Sequence, residues 1–155
     1  MASTKFSLEG KTILITGASS GIGKETAIQT SSMGAKLILT GRNKKRLEET
    51  LGLCKKGNHL IVTADLLKQE QLKELVSKID TKIDGIVHSA GISDFVISKF
   101  IDEKSIYEMM DVNFKIPVLL TALLLRKKKF NKKASMVFLS SIANKGIARL
   151  PYFSL

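Results

Sequence analysis

A run of small and hydroxylated residues, Thr16-Gly17-Ala18-Ser19-Ser20-Gly21-Ile22-Gly23, lies between an apolar stretch, Thr12-Ile13-Leu14-Ile15, and the helix-forming Lys24-Glu25-Thr26-Ala27-Ile28. A strand, a glycine-rich turn and a helix in that order build an anion site. The first N–H groups of a helix have no intrahelical partner and face whatever sits above the turn. Gly17 permits the tight turn, Gly21 lets a pyrophosphate approach the backbone, and Gly23 lets the helix pack close to the strand. Ser19 and Ser20 add hydroxyls for phosphate or ribose oxygens, and Ile22 belongs to the same turn. Taken alone, the run is equally a simple connector between a strand and a helix, so the rest of the chain has to decide.

Five further positions carry residues with chemical potential. Thr40-Gly41-Arg42-Asn43 places an arginine, capable of a bidentate contact to phosphate, after a second apolar run. Ala64-Asp65-Leu66 follows a third run with a carboxylate that has several acceptor sites. His88-Ser89-Ala90-Gly91 follows a fourth; its last two residues are small enough for backbone to lie beside a ligand, and His88 reads as a hydrogen-bonded structural residue, not a base. Asp111-Val112-Asn113-Phe114 puts an asparagine inside a helical pattern, an unfavourable place that asks for a reason. Pro117 offers a competing one, because its missing N–H spares the Asn113 carbonyl its helical bond. Met136-Val137-Phe138-Leu139 ends a fifth run on the pair Ser140-Ser141.

An alternation of strands and helices must position these residues. Short runs rich in Ile, Val and Leu predict strands over 11–16, 36–40, 59–64, 85–89 and 135–140. Consecutive apolar positions mark strands covered on both faces, as in a parallel sheet. Helices are predicted over 23–33, 44–54, 68–79, 102–110 and 112–129. Gly34 suits the position just past the first helix. Asn43 caps the second helix, and Asp102 with Ser105 starts the fourth. Repeated βα units with right-handed crossovers give an α/β fold, a Rossmann-type doubly wound parallel sheet of strand order 3-2-1-4-5. Its ligand crevice lies between the first and fourth strands. Residues 1–155 read as one domain, and 91–101, with Phe95, Val96 and Phe100, is the longest irregular connection at the crevice edge.

The spacing G-x-x-x-G-x-G with the wording Ser-Ser-Gly-Ile-Gly resembles the short-chain dehydrogenase/reductase family, and the later motifs fall in that family's order along essentially the whole chain. The resemblance implies a cofactor held by Gly17, Ser19, Ser20, Gly21, Ile22 and Gly23. Asp65 would bind the adenine amino group, and Leu66 would pack on the ring. Ser89, Ala90 and Gly91 would lie beside the cofactor, although His88 and Ser89 stand where the family often has two asparagines that brace the central strand. Asn113 would hold a helix kink and a proton-relaying water. Ser141 would bond the substrate carbonyl, while Ser140 reads as a strand-end residue. A fold of this kind that prefers NAD usually carries an acid at the end of the second strand; Gly41 followed by Arg42 points to NADP instead. Two plainer readings stay open: Arg42 as a surface residue at a helix start, and Asp65 as N-cap of the third helix, which its spare acceptor sites make compatible with adenine binding. The implied activity is hydride transfer between nicotinamide and a carbonyl or alcohol, similar to a 3-oxoacyl reductase.

The family's chemistry needs a Tyr-x-x-x-Lys motif, which this sequence does not complete; it ends Pro151-Tyr152-Phe153-Ser154-Leu155. Either Tyr152 is that tyrosine, with the lysine due just beyond Leu155, or the tyrosine itself lies further on. On both readings the sheet is truncated before its last two strands, 136–139 becomes an exposed edge, and self-association is expected. The alternative to the enzyme is a catalytically inactive dinucleotide-binding module.

Composition narrows the partners. A chain of 155 residues suits one domain with a real core. The longest apolar run, 116–125, is interrupted by Pro117 and Thr121 and is too short to span a membrane. Residues 1–10 lack the apolar centre of a secretion signal, and the single Cys54 cannot form an internal disulfide, so a cytoplasmic protein is expected. No Cys or His cluster suggests a metal. A net charge of +11 suits nucleic acid, a membrane surface or an anionic small molecule. The densest basic cluster, Arg126-Lys127-Lys128-Lys129 and then Lys132-Lys133, falls where a helix should end and where cations complement its dipole. Only Phe130 interleaves with it, which is a poor platform for stacking bases. A small-molecule carbonyl or alcohol and further copies of the chain are the expected partners, with neither nucleic acid nor membrane.

Overall fold

The computed structural model describes residues 6–93 and 102–140. Five strands, β1 (Thr12–Thr16), β2 (Lys36–Gly41), β3 (Leu60–Thr63), β4 (Ile83–His88) and β5 (Phe130–Phe138), form one sheet in the order β3-β2-β1-β4-β5, every neighbouring pair parallel. Helices α1 (Gly21–Ser32), α2 (Lys44–Leu53), α3 (Gln69–Ser77), α4 (Glu103–Met110) and α5 (Ile116–Arg126) cross between the strands, with a π-helical turn at Asp111–Lys115. The expected strand order is the observed one.

Alternating side chains divide the core into two layers. Leu14, Ile38, Val62 and Ile86 point to one face and pack with Leu72 and Leu75 of α3 and Leu120 and Leu124 of α5. Ile13, Ile15, Leu37 and Leu39 point to the other and pack with Ala27 of α1 and Leu47 of α2. Burying each large aliphatic side chain contributes about 1.5–3 kcal/mol, which makes the register Leu14 between Ile38 and Ile86 strongly preferred over a one-residue slip. α1 buries only small residues, Gly23, Ala27 and Ser31, and so lies close to the sheet.

The local signals act as expected at three helix ends. The Asn43 side chain accepts from the Arg46 N–H at 3.0 Å, and that of Asp102 accepts from the Ser105 N–H at 2.8 Å. Gly34 follows α1 with φ +96, a conformation that favours glycine. Asp65, by contrast, does not cap α3. Lys68 holds that position, and the Asp65 carboxylate instead accepts from the Leu67 N–H at 3.2 Å, closing a turn.

The second half departs from the sequence pattern. β5 begins at Phe130, five residues before the expected 135, so Lys132 and Lys133 lie on a strand and not in the tail of a helix. Among the described residues β5 pairs only with β4, and both lysines are exposed, so no apolar run announces its first half. His59 stands just before β3; its Nδ1 accepts from the Leu37 N–H at 3.1 Å and its Nε2 bonds the Lys55 carbonyl at 2.8 Å. The single helix expected over 112–129 is broken: the π turn precedes α5, and α5 ends at Arg126. At the start of the strands Asp84 accepts from the Thr12 N–H at 3.0 Å and from Asn131 at 3.0 Å, with Lys11 at 3.5 Å. Partial burial works to raise its carboxyl pKa, but these donors outweigh it and hold it below the usual carboxylate range. Ser141, Tyr152, Phe95, Val96 and Phe100 lie outside the described residues.

Candidate cofactor cleft

The loops after β1 and β4 are joined at the point where the strand order reverses. Thr16 Oγ1 accepts from the N–H groups of Ser89 and Ala90, each at 3.1 Å, and the Ser89 hydroxyl donates to the Thr16 carbonyl. Ser89 thus braces the end of β1, the central strand, with its own backbone and hydroxyl. The junction leaves no room for side chains. A Cβ on Gly17 (φ +64) would lie 2.8 Å from the Ala90 backbone, and one on Gly23 would strike the Gly17 carbonyl and sit 2.5 Å from the Ser89 hydroxyl.

Gly21 differs from both. Its φ of +52 favours glycine, yet no atom lies within 4 Å of where a Cβ would be. That open space stands over the first turn of α1, whose N-cap is Ser20. The Ser20 hydroxyl makes no cap bond and the first turn holds no acidic residue. The N–H groups there are consequently open to an external anion, which the helix dipole favours.

A cleft of about 540 Å³ runs over this turn along the C-terminal ends of the strands. Gly17, Ser19, Ser20, Gly21 and Ile22 line it from the turn, Arg42 from the end of β2, Asp65 and Leu66 from beyond β3, and Ser89, Ala90 and Gly91 from beyond β4. Of the residues expected to hold a cofactor, only Gly23 is off its wall; it is buried behind the turn, where it sets the approach of α1. Glu108, Val112 and Ile116 also line the cleft and were not anticipated. Their spacing of four residues along one helical stripe, on the segment that follows the crevice strand, is the signal that could have found them.

Asn113 is not on that wall but holds its edge. Its side-chain oxygen accepts from the Ile92 N–H at 2.9 Å and its amide donates to the Ile92 carbonyl at 2.8 Å, as a neighbouring strand would. The π turn carries Asn113 out of the regular helical path, the kind of interruption that recurs at functional sites. His88 is 3% exposed, stacked on Phe138 with ring centroids 4.7 Å apart, and bonded through Nε2 to Thr121 Oγ1 at 2.9 Å. Burial pushes its pKa down to about 4, so the imidazole is neutral near pH 7 and serves packing. Its carbonyl accepts from the Leu139 N–H at 3.2 Å, leading the chain after β5 toward the cleft end of the sheet. Among the described residues no three His, Cys, Asp or Glu side chains gather as metal ligands, and no helix is long and apolar enough to cross a membrane.

A five-stranded parallel sheet of order 3-2-1-4-5 with its glycine turn at the reversal point defines a Rossmann-type α/β domain. The family model for short chain dehydrogenases matches residues 11–154, and the chain belongs to that family. It is 34% identical over 142 residues to the 3-oxoacyl-acyl-carrier-protein reductase FabG of Rickettsia typhi, covering 92% of this chain and 57% of the relative. It is 35% identical over 117 residues to an 11-beta-hydroxysteroid dehydrogenase of Pinus massoniana, covering 69% of this chain and 32% of the relative. A solved short-chain dehydrogenase from Salmonella enterica serovar Typhi superposes with a TM-score of 0.78 at 29% identity, covering 90% of this chain and 61% of that one. The chain therefore spans a little over half the length of the bacterial reductase it matches, and about a third of the plant enzyme.

Proposed function

We propose that this chain is the cofactor-binding part of an NADP-dependent reductase acting on a carbonyl or alcohol, of 3-oxoacyl reductase type. The observation that carries the reading is one cleft that brings together an open helix N-terminus, the Ser19 and Ser20 hydroxyls, Arg42 and Asp65. Bound NADP(H) would supply the hydride. Ser19, Ser20 and the first-turn amides of α1 would hold its pyrophosphate, and Arg42, with Gly41 in place of an acid, would take a 2′-phosphate. Asp65 would accept from the adenine amino group beside Leu66. Ala90 and Gly91 would let the backbone lie against the cofactor. Ser141 would donate to the substrate carbonyl oxygen, Asn113 would support the proton relay by holding the kink, and a tyrosine, Tyr152 or one further on, would protonate the alkoxide.

The similarity to a 3-oxoacyl reductase supports that substrate class first, and the similarity to a hydroxysteroid dehydrogenase makes steroid ketones the natural comparison. A homo-oligomer is part of the reading, supported by the exposed Phe114, Val118 and Leu119 on the π turn and α5 and by Met136, Val137 and Phe138 on β5. A cytoplasmic setting is supported by Cys54, a free thiol. The test is NADPH oxidation by the protein with a 3-oxoacyl thioester, a steroid ketone and a keto sugar in parallel. Turnover of the thioester, with a loss of about 10²-fold or more in Ser141→Ala, is the expected result. NADPH binding without turnover of any carbonyl would leave the inactive dinucleotide-binding module in its place.

A further inference from the structure

Opposite the cofactor cleft, at the N-terminal edge of the sheet, a groove of about 460 Å³ opens between the ends of α3 and α5. The Ile83 N–H donates to the Lys129 carbonyl there, so the length of β4, roughly 20 Å, separates it from the cleft. The half-buried Leu123 and the lysine stems give an apolar floor over Val76, which is 2% exposed; Ser77 adds one hydroxyl, and the Lys73, Lys127 and Lys129 ammonium groups make the rim, with no carboxylate lining it.

The three cations are differently engaged. The Lys129 ammonium donates to the Ile79 carbonyl, which fixes its stem at the groove. Lys73 meets only the exposed Glu70, at 3.7 Å. Lys127 forms no salt bridge among the described residues, although it stands at the C-cap of α5. The turn that follows is made by Lys128 at φ +53, where glycine is usual and a side chain costs about 1–2 kcal/mol. Three consecutive lysines thus turn the chain at the mouth of an apolar groove.

We propose that this groove is a second binding site, independent of the cofactor reading, for a single-chain anionic amphiphile of the alkyl-carboxylate class. Its hydrocarbon lies on Leu123 and the lysine stems above Val76, and its carboxylate sits between Lys73 and Lys127. A bare anion would leave the apolar floor wet. A neutral alkyl chain would take water from the lysines without replacing it.

The test is a titration of the intact protein with decanoate below its micelle threshold, read by carbon-13 methyl NMR at Val76 and Leu123. Saturable shifts at those methyls are expected, with affinity at least tenfold weaker for 1-decanol and for acetate. The exposed substitutions Lys127→Glu and Lys73→Gln should each weaken decanoate severalfold while leaving the remaining methyl spectrum in place. Equal affinity for decanol, shifts confined to other regions, or unchanged affinity in Lys127→Glu would overturn the site. So would anionic phospholipid vesicles that move the same methyls where free decanoate does not, because the ligand would then be a membrane surface.

Discussion

Two glycines in helices should respond to alanine with opposite signs. Gly23 lies in the first turn of α1 and Gly52 near the end of α2. A Cβ at Gly23 meets the Gly17 carbonyl and sits 2.5 Å from the Ser89 hydroxyl, far inside the roughly 3.5–4.0 Å of an ordinary carbon contact. The carbonyl is backbone, and the hydroxyl is fixed by its bond to Thr16, so neither yields cheaply. Overpacking of this kind costs about 1–3 kcal/mol, against a helix-propensity gain of about 1 kcal/mol for replacing glycine. Gly23→Ala should therefore lose up to about 2 kcal/mol, a fall in Tm of up to roughly 8 °C for a chain of this size. Gly52 has nothing within 4 Å of a Cβ, so Gly52→Ala should gain about 0.5–1 kcal/mol. Thermal and urea unfolding of both variants beside the parent read the difference directly. If Gly23→Ala proved as stable as Gly52→Ala, the close packing of α1 on the glycine turn would be wrong, and with it the geometry of the cleft floor.

Lys128→Gly should stabilise the protein by about 1 kcal/mol in urea unfolding, because it removes a side chain from a left-handed turn; no gain would mean that the lysine makes compensating contacts. The His88 pKa is lowered by burial to about 4, so the unfolded chain binds the extra proton first as pH falls. Its contribution is complete above about pH 6.5 and is lost as pH falls toward 4, a decline of about 3 kcal/mol that His88→Asn should flatten; an unchanged pH slope in that variant would refute it. Asp84→Ala should cost about 1.5–3 kcal/mol at pH 7, since it leaves the Thr12 N–H without its charged acceptor. Because the Asp84 pKa is lowered on folding, that contribution persists above the ordinary carboxylate value of about 4 and fades below it, so the penalty should shrink in acid titrations.

The first half of the fold was legible because its signals are local. β1 and β2 are buried on both faces and announce themselves as apolar runs, and Asn43 and Gly34 mark helix ends by their own chemistry. Only the start of β5 was missed, because Asn131, Lys132 and Lys133 have no hydrophobic pattern; what sets that start is the pairing of Phe130 with Ile83, whereas Met136-Val137-Phe138 marked the rest. The π turn at Asp111–Lys115 was visible only as an asparagine out of place, since an extra residue per turn leaves no trace in periodicity. The glycine turn, Arg42, Asp65 and Gly91 could be placed together because each follows a strand of known order. Glu108, Val112 and Ile116 carry only a four-residue stripe as their signal, and such a stripe does not by itself say whether it faces a crevice, the core or the solvent.

On the proposed reading, the cleft over the glycine turn holds NADP through Arg42. The most direct measurement is a thermal-shift titration with NADP and NAD side by side, on the parent and on Arg42→Asp. A ligand that binds only the folded state adds about 2.7 kcal/mol at a hundredfold excess over its Kd, so NADP should raise the Tm of the parent by several degrees and NAD by much less. Arg42→Asp should abolish the NADP response and favour NAD. Equal stabilisation of the parent by the two cofactors would contradict the role of Arg42, and a Tm unmoved by either would contradict the cleft as a cofactor site.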